Sequence, residues 1–323
     1  MQKFSWVGIA GTLFSTKKIS YSPDLEKIAA HCVFDLASLT KVLYTVPLIL
    51  FLEKDQKGFL NKNLGEIFPE IKLKRLKDIS IQRFLEHRSG LQDHLLLKDY
   101  LDENFKTQEL FEILEQAFFS ESEKESLEIY SDLGFFVLHE VIKKYYSESA
   151  EENLKFIKKK ISYEGAFPSF EPLHGAPWKL MKTTTDLALG SVNDENAQFL
   201  GGASAHAGLF SDSLSLWSYL ESLFKCLSDD SSLKEFVTIP ELWEKRFYCG
   251  WDRPSGENSQ AGKNAPQGVI GHLGYTGTAF WFHPDSKEAG LLLSNRIILN
   301  DSLASQESIK KMRRDFFSQL WAS

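Results

Sequence analysis

Ser38 and Lys41 stand three residues apart in Asp35-Leu36-Ala37-Ser38-Leu39-Thr40-Lys41, at the head of an apolar run from Val42 to Leu52. If the run is helical, positions i and i+3 share a face, and the amine lies beside the hydroxyl. A serine hydroxyl is a weak nucleophile at neutral pH and needs a base beside it. A lysine serves as that base if burial or a nearby cation lowers its pKa. The start of a helix also offers free N–H groups and a positive dipole end, which suit a developing oxyanion. Ser-x-x-Lys recurs by chance on exposed helix faces, so the pair gains meaning only from further motifs.

Two such motifs follow. Tyr130-Ser131-Asp132-Leu133-Gly134 precedes a helical run. Ser131 or Asp132 there can be a plain N-cap. Alternatively, Tyr130 places a phenol at a cleft, where a lysine ammonium favours its phenolate and lets it shuttle a proton. Gly271-His272-Leu273-Gly274-Tyr275-Thr276-Gly277-Thr278 leads into a strand. Its glycines let backbone run close to a ligand. The N–H of Tyr275 is then a second oxyanion donor, and His272 donates a proton or orients the phenol. The competing reading is a glycine-rich bulge with a half-buried histidine.

Several elements must position these groups. Phe4 to Tyr21 predicts two short strands with a turn near Ser15-Thr16-Lys17-Lys18, and residues 38–54 a buried helix ended by Lys57-Gly58. Ile79 to Leu85, residues 95–119, Leu133 to Tyr146, Lys182 to Ala188, Leu214 to Leu227 and Ser305 to Trp321 predict helices. Gly165 to Trp178 and Asn193 to His206 predict loops. Val269 to Gly271, Thr278 to His283 and Ala289 to Leu293 predict strands. Strands at both ends with helices between imply one mixed lobe, from about 1–55 and 200–323, and a helical lobe over about 56–199. The site is expected in the cleft between them.

The chain has 323 residues, 43% of them hydrophobic, enough for one large domain. A net charge of -7 without a basic stripe argues against nucleic acid. Three cysteines, at 32, 226 and 249, match no metal-ligand spacing and argue against a disulfide framework. No export signal is evident, and Val42 to Leu52 is too short for a membrane span and holds Pro47. The expectation is a cytoplasmic protein, or a periplasmic one if the start is truncated.

In this order, the three motifs resemble those of the serine β-lactamase and penicillin-recognising superfamily, in its class C β-lactamase-like branch. That branch includes esterase, D-amino-acid peptidase and N-acetylmuramoyl-L-alanine amidase relatives. Three further segments share the likeness: Phe34 to Lys41, Ile79 to Leu91 with its His87-Arg88-Ser89-Gly90-Leu91 turn, and Tyr248-Cys249-Gly250-Trp251-Asp252. The resemblance implies an α+β fold of the β-lactamase/transpeptidase type, an antiparallel sheet flanked by helices plus an all-helical lobe. It makes Ser38 the acylated nucleophile, and Lys41 and Tyr130 its acid–base system. The N–H groups of Ser38 and Tyr275 become the oxyanion hole, with His272 and Gly274 bordering the substrate. Asp132 replaces the branch's usual Asn, which strengthens contact with Lys41. Leu273 replaces a Thr whose hydroxyl grips a substrate carboxylate, which disfavours β-lactam turnover.

Ser191 to Ala197 and Gly201 to Phe210 resemble a block found in a subset of these hydrolases, with Asn193 and Ala205 in place of its His and Gly. The block is either a structural loop or a substrate contact. In the second case Asp132, Asn196 and His206 are the polar groups that select the ligand. Asp194, Glu195 and His206 lack the helical His pair that would suggest a metal. The expected activity is that of a serine hydrolase needing no cofactor, acting on a small peptidoglycan fragment. A carboxylesterase of small acyl esters, or a catalytically weak binding or regulatory protein on the same fold, are the alternatives.

Overall fold

A computed structural model describes residues 4–14, 17–25, 31–119, 128–171, 179–240, 243–256, 258–299 and 302–322. The turn expected at Ser15-Thr16 and the end of the loop expected up to Trp178 lie outside these residues. The elements in chain order are β1 (Trp6–Thr12), β2 (Lys17–Tyr21), β3 (Cys32–Asp35), α1 (Val46–Asp55), α2 (Leu64–Ile67), α3 (Ile81–Leu85), α4 (Thr107–Gln116), α5 (Leu133–Tyr145) and α6 (Ala150–Lys160). They continue with β4 (Lys179–Leu180), α7 (Glu195–Phe199), β5 (Phe210–Ser211), α8 (Ser213–Asp229), β6 (Phe247–Tyr248), β7 (Trp251–Asp252), β8 (Ile270–Leu273), β9 (Ala279–Phe282), β10 (Glu288–Ser294) and α9 (Leu303–Leu320).

Seven strands form one sheet in the order β2-β1-β10-β9-β8-β7-β6, every pair antiparallel. The first strands of the chain thus pair with the last, with Gly8 opposite Leu292. Leu291, Leu292 and Leu293 of β10 are all fully buried, because α8 and α9 cover its two faces with separate apolar clusters. A strand covered on both faces reads as a continuous apolar run. A second, three-stranded sheet sets β3 between β4 and β5. It delivers the chain to Ser38. Because β4 comes from within residues 56–199, the segment expected to be all helical contributes a strand.

The helix after Ser38 is not regular. Residues Lys41–Thr45 form a π turn, and Val46 N–H bonds to Lys41 O. Pro47 follows and has no N–H to offer the carbonyl four residues back, that of Leu43. The Tyr219 hydroxyl takes that carbonyl at 2.6 Å, and the Thr45 hydroxyl bonds Ala205 O at 2.6 Å. Single π turns of this kind occur within helices near functional sites.

Other expectations need correction. Of residues 95–119, only Thr107–Gln116 is α-helical. The segment before it is bound instead by Asn196, as described below. No helix forms at Lys182 to Ala188, whereas α7 forms inside the expected Asn193–His206 loop, capped by Asp194. Among the described residues, no helix is long and apolar enough to cross a membrane.

Gly271 sits at the sheet's tightest point, paired with Asp252 on one side and Trp281 on the other. A Cβ there would lie 2.0 Å from Phe280 O and 2.6 Å from the Trp281 ring. The strand carbonyl has no room to yield. Gly271→Ala is therefore expected to lower stability by about 1–3 kcal/mol, the usual cost of overpacking. Thermal or urea unfolding measures it, and an unchanged midpoint would contradict the packing described.

Candidate active site

Ser38 lies in the turn between β3 and the helical run, half-buried. The turn is held from beneath. Ala37 adopts a left-handed φ of 48°, strained for a residue with a Cβ. Its N–H donates to Asp35 Oδ1 at 2.8 Å, and Asp35 Oδ2 accepts the Asn193 N–H at 2.7 Å. One buried carboxylate thus ties the Ser38 turn to the loop that begins α7. Burial pushes the Asp35 pKa up to about 6.

Lys41 is fully buried on the π turn. Its Nζ lies 3.0 Å from Ser38 Oγ, 2.6 Å from Asp132 Oδ1 and 3.4 Å from His206 O. The ammonium stands 5.0 Å over the Tyr130 ring and 5.2 Å over that of Phe135. Tyr130 hydrogen-bonds to both Lys41 and Ser38. The three motif side chains are thus in mutual contact, with Asp132 as a fourth member.

Charge follows from that contact. Burial disfavours the Lys41 ammonium, but the Asp132 carboxylate and then Tyr130 outweigh it, so its pKa lies above the ordinary value. Burial alone would raise Asp132; Lys41 and His206 hold it below the usual carboxylate value instead. Burial raises Tyr130, which rests as a neutral phenol despite Lys41. The expectation of a lysine with a lowered pKa is therefore corrected. The resting site holds a Lys41–Asp132 ion pair.

Tyr130 is set by a residue the sequence did not single out for this role. His87, with a left-handed φ of 53°, packs its ring 4.4 Å from the Tyr130 ring. Its Nδ1 accepts the Ser131 N–H at 3.0 Å. Ser131 Oγ donates to Gln92 O at 2.5 Å and accepts the Leu133 N–H at 3.2 Å, so Ser131 starts α5 and leaves Asp132 to the cleft.

The third motif closes the opposite wall. Thr276 and Thr278 hydroxyls donate to Asp35 O at 2.8 Å and Leu36 O at 3.0 Å, fastening the β8–β9 turn to the end of β3 and the residue after it. His272 is neutral: burial and then Lys41 push its pKa down to about 3. Its Nδ1 lies 2.8 Å from Leu273 O and must donate to that carbonyl, which leaves Nε2 an acceptor. His272 is therefore not a proton donor, and its ring sits 5.8 Å from that of Tyr130.

These walls enclose a cleft of about 580 Å³ lined by Ser38, Tyr130, Asp132, His272, Leu273, Gly274 and Tyr275. His94, Asp194, Glu195, Arg246 and Arg313 also face it. Two expected ligand-selecting residues do not. Asn196 is buried, with Oδ1 accepting the Leu97 N–H at 2.8 Å and Nδ2 donating to Leu95 O at 2.9 Å. His206 is buried as well, its Nε2 2.7 Å from Asp194 Oδ1 and its Nδ1 2.7 Å from Ser204 Oγ. Both act by positioning: Asn196 shapes the loop bearing His94 and Leu96, and His206 anchors Asp194 and presents a carbonyl to Lys41. Among the described residues, no group of three or more His, Cys, Asp or Glu side chains could hold a metal ion.

The fold has counterparts among solved structures. The class C β-lactamase of Rhodobacter sphaeroides superposes with a TM-score of 0.69 at 11% identity, over 96% of this chain and 93% of its own. A β-lactamase/D-alanine carboxypeptidase from Pseudomonas syringae gives 0.66 at 12% identity, over 96% and 93%. A Salmonella gallinarum protein named "Putative D-alanyl-D-alanine carboxypeptidase" is 33% identical over 124 residues, 35% of this chain and 28% of that protein. The chain thus matches under a third of that relative's length. The profile of the family described as Beta-lactamase matches residues 23–306. Its members are serine hydrolases acting on amides and esters, and with that match the chain belongs to the beta-lactamase family.

Proposed function

We propose that the enzyme hydrolyses an amide in a small peptidoglycan fragment through an acyl-enzyme on Ser38. The observation that carries the chemistry is Lys41 Nζ lying between Ser38 Oγ at 3.0 Å and Asp132 Oδ1 at 2.6 Å. When substrate expels water, the ion pair loses solvation, and a neutral amine with a protonated carboxyl becomes competitive. Lys41 passes a proton to Asp132 while taking the Ser38 proton, and the alkoxide attacks the carbonyl. The N–H groups of Ser38 and Tyr275 receive the oxyanion. Tyr130, bonded to Ser38 and Lys41, protonates the leaving amine and is reprotonated from Lys41, which recovers its proton from Asp132. Water then repeats the sequence on the acyl-enzyme.

Two features support the substrate class. The partial relative's printed name concerns D-alanyl-D-alanine peptides. A cleft of about 580 Å³ has room for a ligand of a few sugar or amino-acid residues. A carboxylesterase is the second reading, favoured by Leu273, which puts an apolar side chain on the cleft wall where a hydroxyl would grip a carboxylate.

Mass spectrometry of a soluble muropeptide digest separates the two readings. The expected result is cleavage of muropeptides by the wild type, lost in Ser38→Ala and reduced at least ~100-fold in Lys41→Ala. Intact sacculi should be left nearly untouched. Rapid hydrolysis of acyl esters with every muropeptide intact would replace this substrate by the esterase reading.

The ion pair also predicts a pH signature. In Asp132→Asn the carboxylate is gone, burial dominates, and the Lys41 pKa falls. Its kcat/KM should gain an acid limb, rising as pH climbs through the lowered Lys41 value. The wild type should stay flat there. Stability follows the same pair. Asp132, depressed, stabilises above its unfolded value near ~3.9 and loses this as pH falls through the folded value. Lys41, raised, stabilises below ~10.4 and loses this as pH rises through the folded value. The wild type's lead in melting temperature over Asp132→Asn should therefore span about pH 4–10. Superimposable rate profiles would contradict the ion-pair account.

A further inference from the structure

Arg313 is a buried cation held by three carbonyls of the oxyanion turn and by the side-chain amide of Gln260. It lies on α9, far in sequence from the three motifs. Its Nη2 donates to Gly274 O at 2.5 Å and Thr278 O at 2.7 Å, its Nε to Gly277 O at 3.2 Å, and its Nη1 to Gln260 Oε1 at 2.7 Å. All four acceptors are neutral. A buried charge among neutral partners is costly to maintain. Stiffening one turn could be achieved with uncharged donors, so the charge itself calls for an explanation.

The peptide it grips supplies one. Gly274 O and the Tyr275 N–H belong to the same peptide unit. The one cis bond among the described residues is Phe167-Pro168, so this unit is trans, with its C=O and N–H pointing in opposite directions. A guanidinium on the oxygen therefore fixes where the N–H aims. It also draws electron density toward the oxygen and makes the N–H a stronger donor, as happens along hydrogen-bonded chains. Arg296 grips the next carbonyl, that of Tyr275, at 2.7 Å, so the turn is held on successive peptides. We infer that Arg313 is a positioning residue that orients and polarises the Gly274–Tyr275 peptide as an oxyanion donor. The inference rests on Ser38 as nucleophile and the Tyr275 N–H as a donor.

Because Arg313 also faces the cleft, direct capture of a substrate carboxylate is the rival role. Two acetate esters with one chromophore separate the roles: p-nitrophenyl acetate, which is neutral, and 3-carboxy-4-nitrophenyl acetate. Arg313→Lys keeps the charge and loses the fork. The expected result is a kcat lowered about 10-fold or more on both esters, with KM within about 2-fold, since a donor is weakened and not removed. In protein labelled with ¹⁵N-tyrosine, the Tyr275 amide proton, assigned with Tyr275→Phe, should move upfield in Arg313→Lys without any substrate. A loss confined to the carboxylate ester and to KM, or no loss on either ester, would overturn the inference. Should Arg313→Lys fail to fold, Gln260→Met loosens Nη1 alone and should show the same kcat loss at about 2- to 3-fold; unchanged kcat there overturns it equally. Ser38→Ala runs alongside: retained turnover in that variant would mean that the nucleophile assignment has failed, not the role of Arg313.

Discussion

The site depends on keeping one ammonium dry. Lys41 is fully buried, and an isolated charge there would cost several kcal/mol. Its neighbours answer that cost: the Asp132 carboxylate, the faces of Tyr130 and Phe135, the Ser38 hydroxyl and the His206 carbonyl. They come from three parts of the chain: the segment that starts α5, the turn bearing Ser38 and the Ser204–Ala207 loop. The ammonium therefore acts as a gauge of assembly, since α5, the π turn and the Ser204–Ala207 loop must all be in place before it is compensated.

In the proposed mechanism Asp132 sets how the chemistry runs. With an amide at that position, burial would leave Lys41 inclined to lose its proton and act as a base outright. With a carboxylate, the resting lysine is a cation, and a base appears only when the pair neutralises. That couples proton transfer to the exclusion of water by substrate. Small leaving groups that do not fill the cleft would then gain least from the arrangement. His272 fits the same economy of charge. It is neutral, with its donor already spent on Leu273 O, so it adds no second cation beside Lys41.

What the sequence revealed, and what it hid, divides along physical lines. The placement of Ser38, Lys41 and Tyr130 together, and of Tyr275 on the cleft wall, was legible from short-range spacing at the start of a helix or at a strand's end. The sheet strands at both chain ends were legible from short aromatic, β-branched and continuous apolar runs. Asn196 and His206 were misjudged because a polar side chain that bonds a distant backbone looks, in sequence, like one that awaits a ligand. The helix expected over 95–119 begins only at Thr107, since Asn196 claims the Leu95 and Leu97 backbone groups ahead of it. The positioning contacts of Asp35, His87 and Arg313 were not legible because they exist only once β3, α5 and α9 are packed. The π turn had one local signal, Pro47, whose missing donor frees the Leu43 carbonyl.

The central claim is that Ser38 is a nucleophile made reactive by Lys41 and its partners. Intact-mass measurement after exposure to a fluorophosphonate tests it most directly. Attack of Ser38 Oγ on phosphorus expels fluoride and leaves one phosphonyl group on the protein. The account predicts a single adduct, mapped to the Ser38 peptide, absent in Ser38→Ala and formed much more slowly in Lys41→Ala. An adduct that persists in Ser38→Ala, or a wild-type protein that never acquires one, would contradict it.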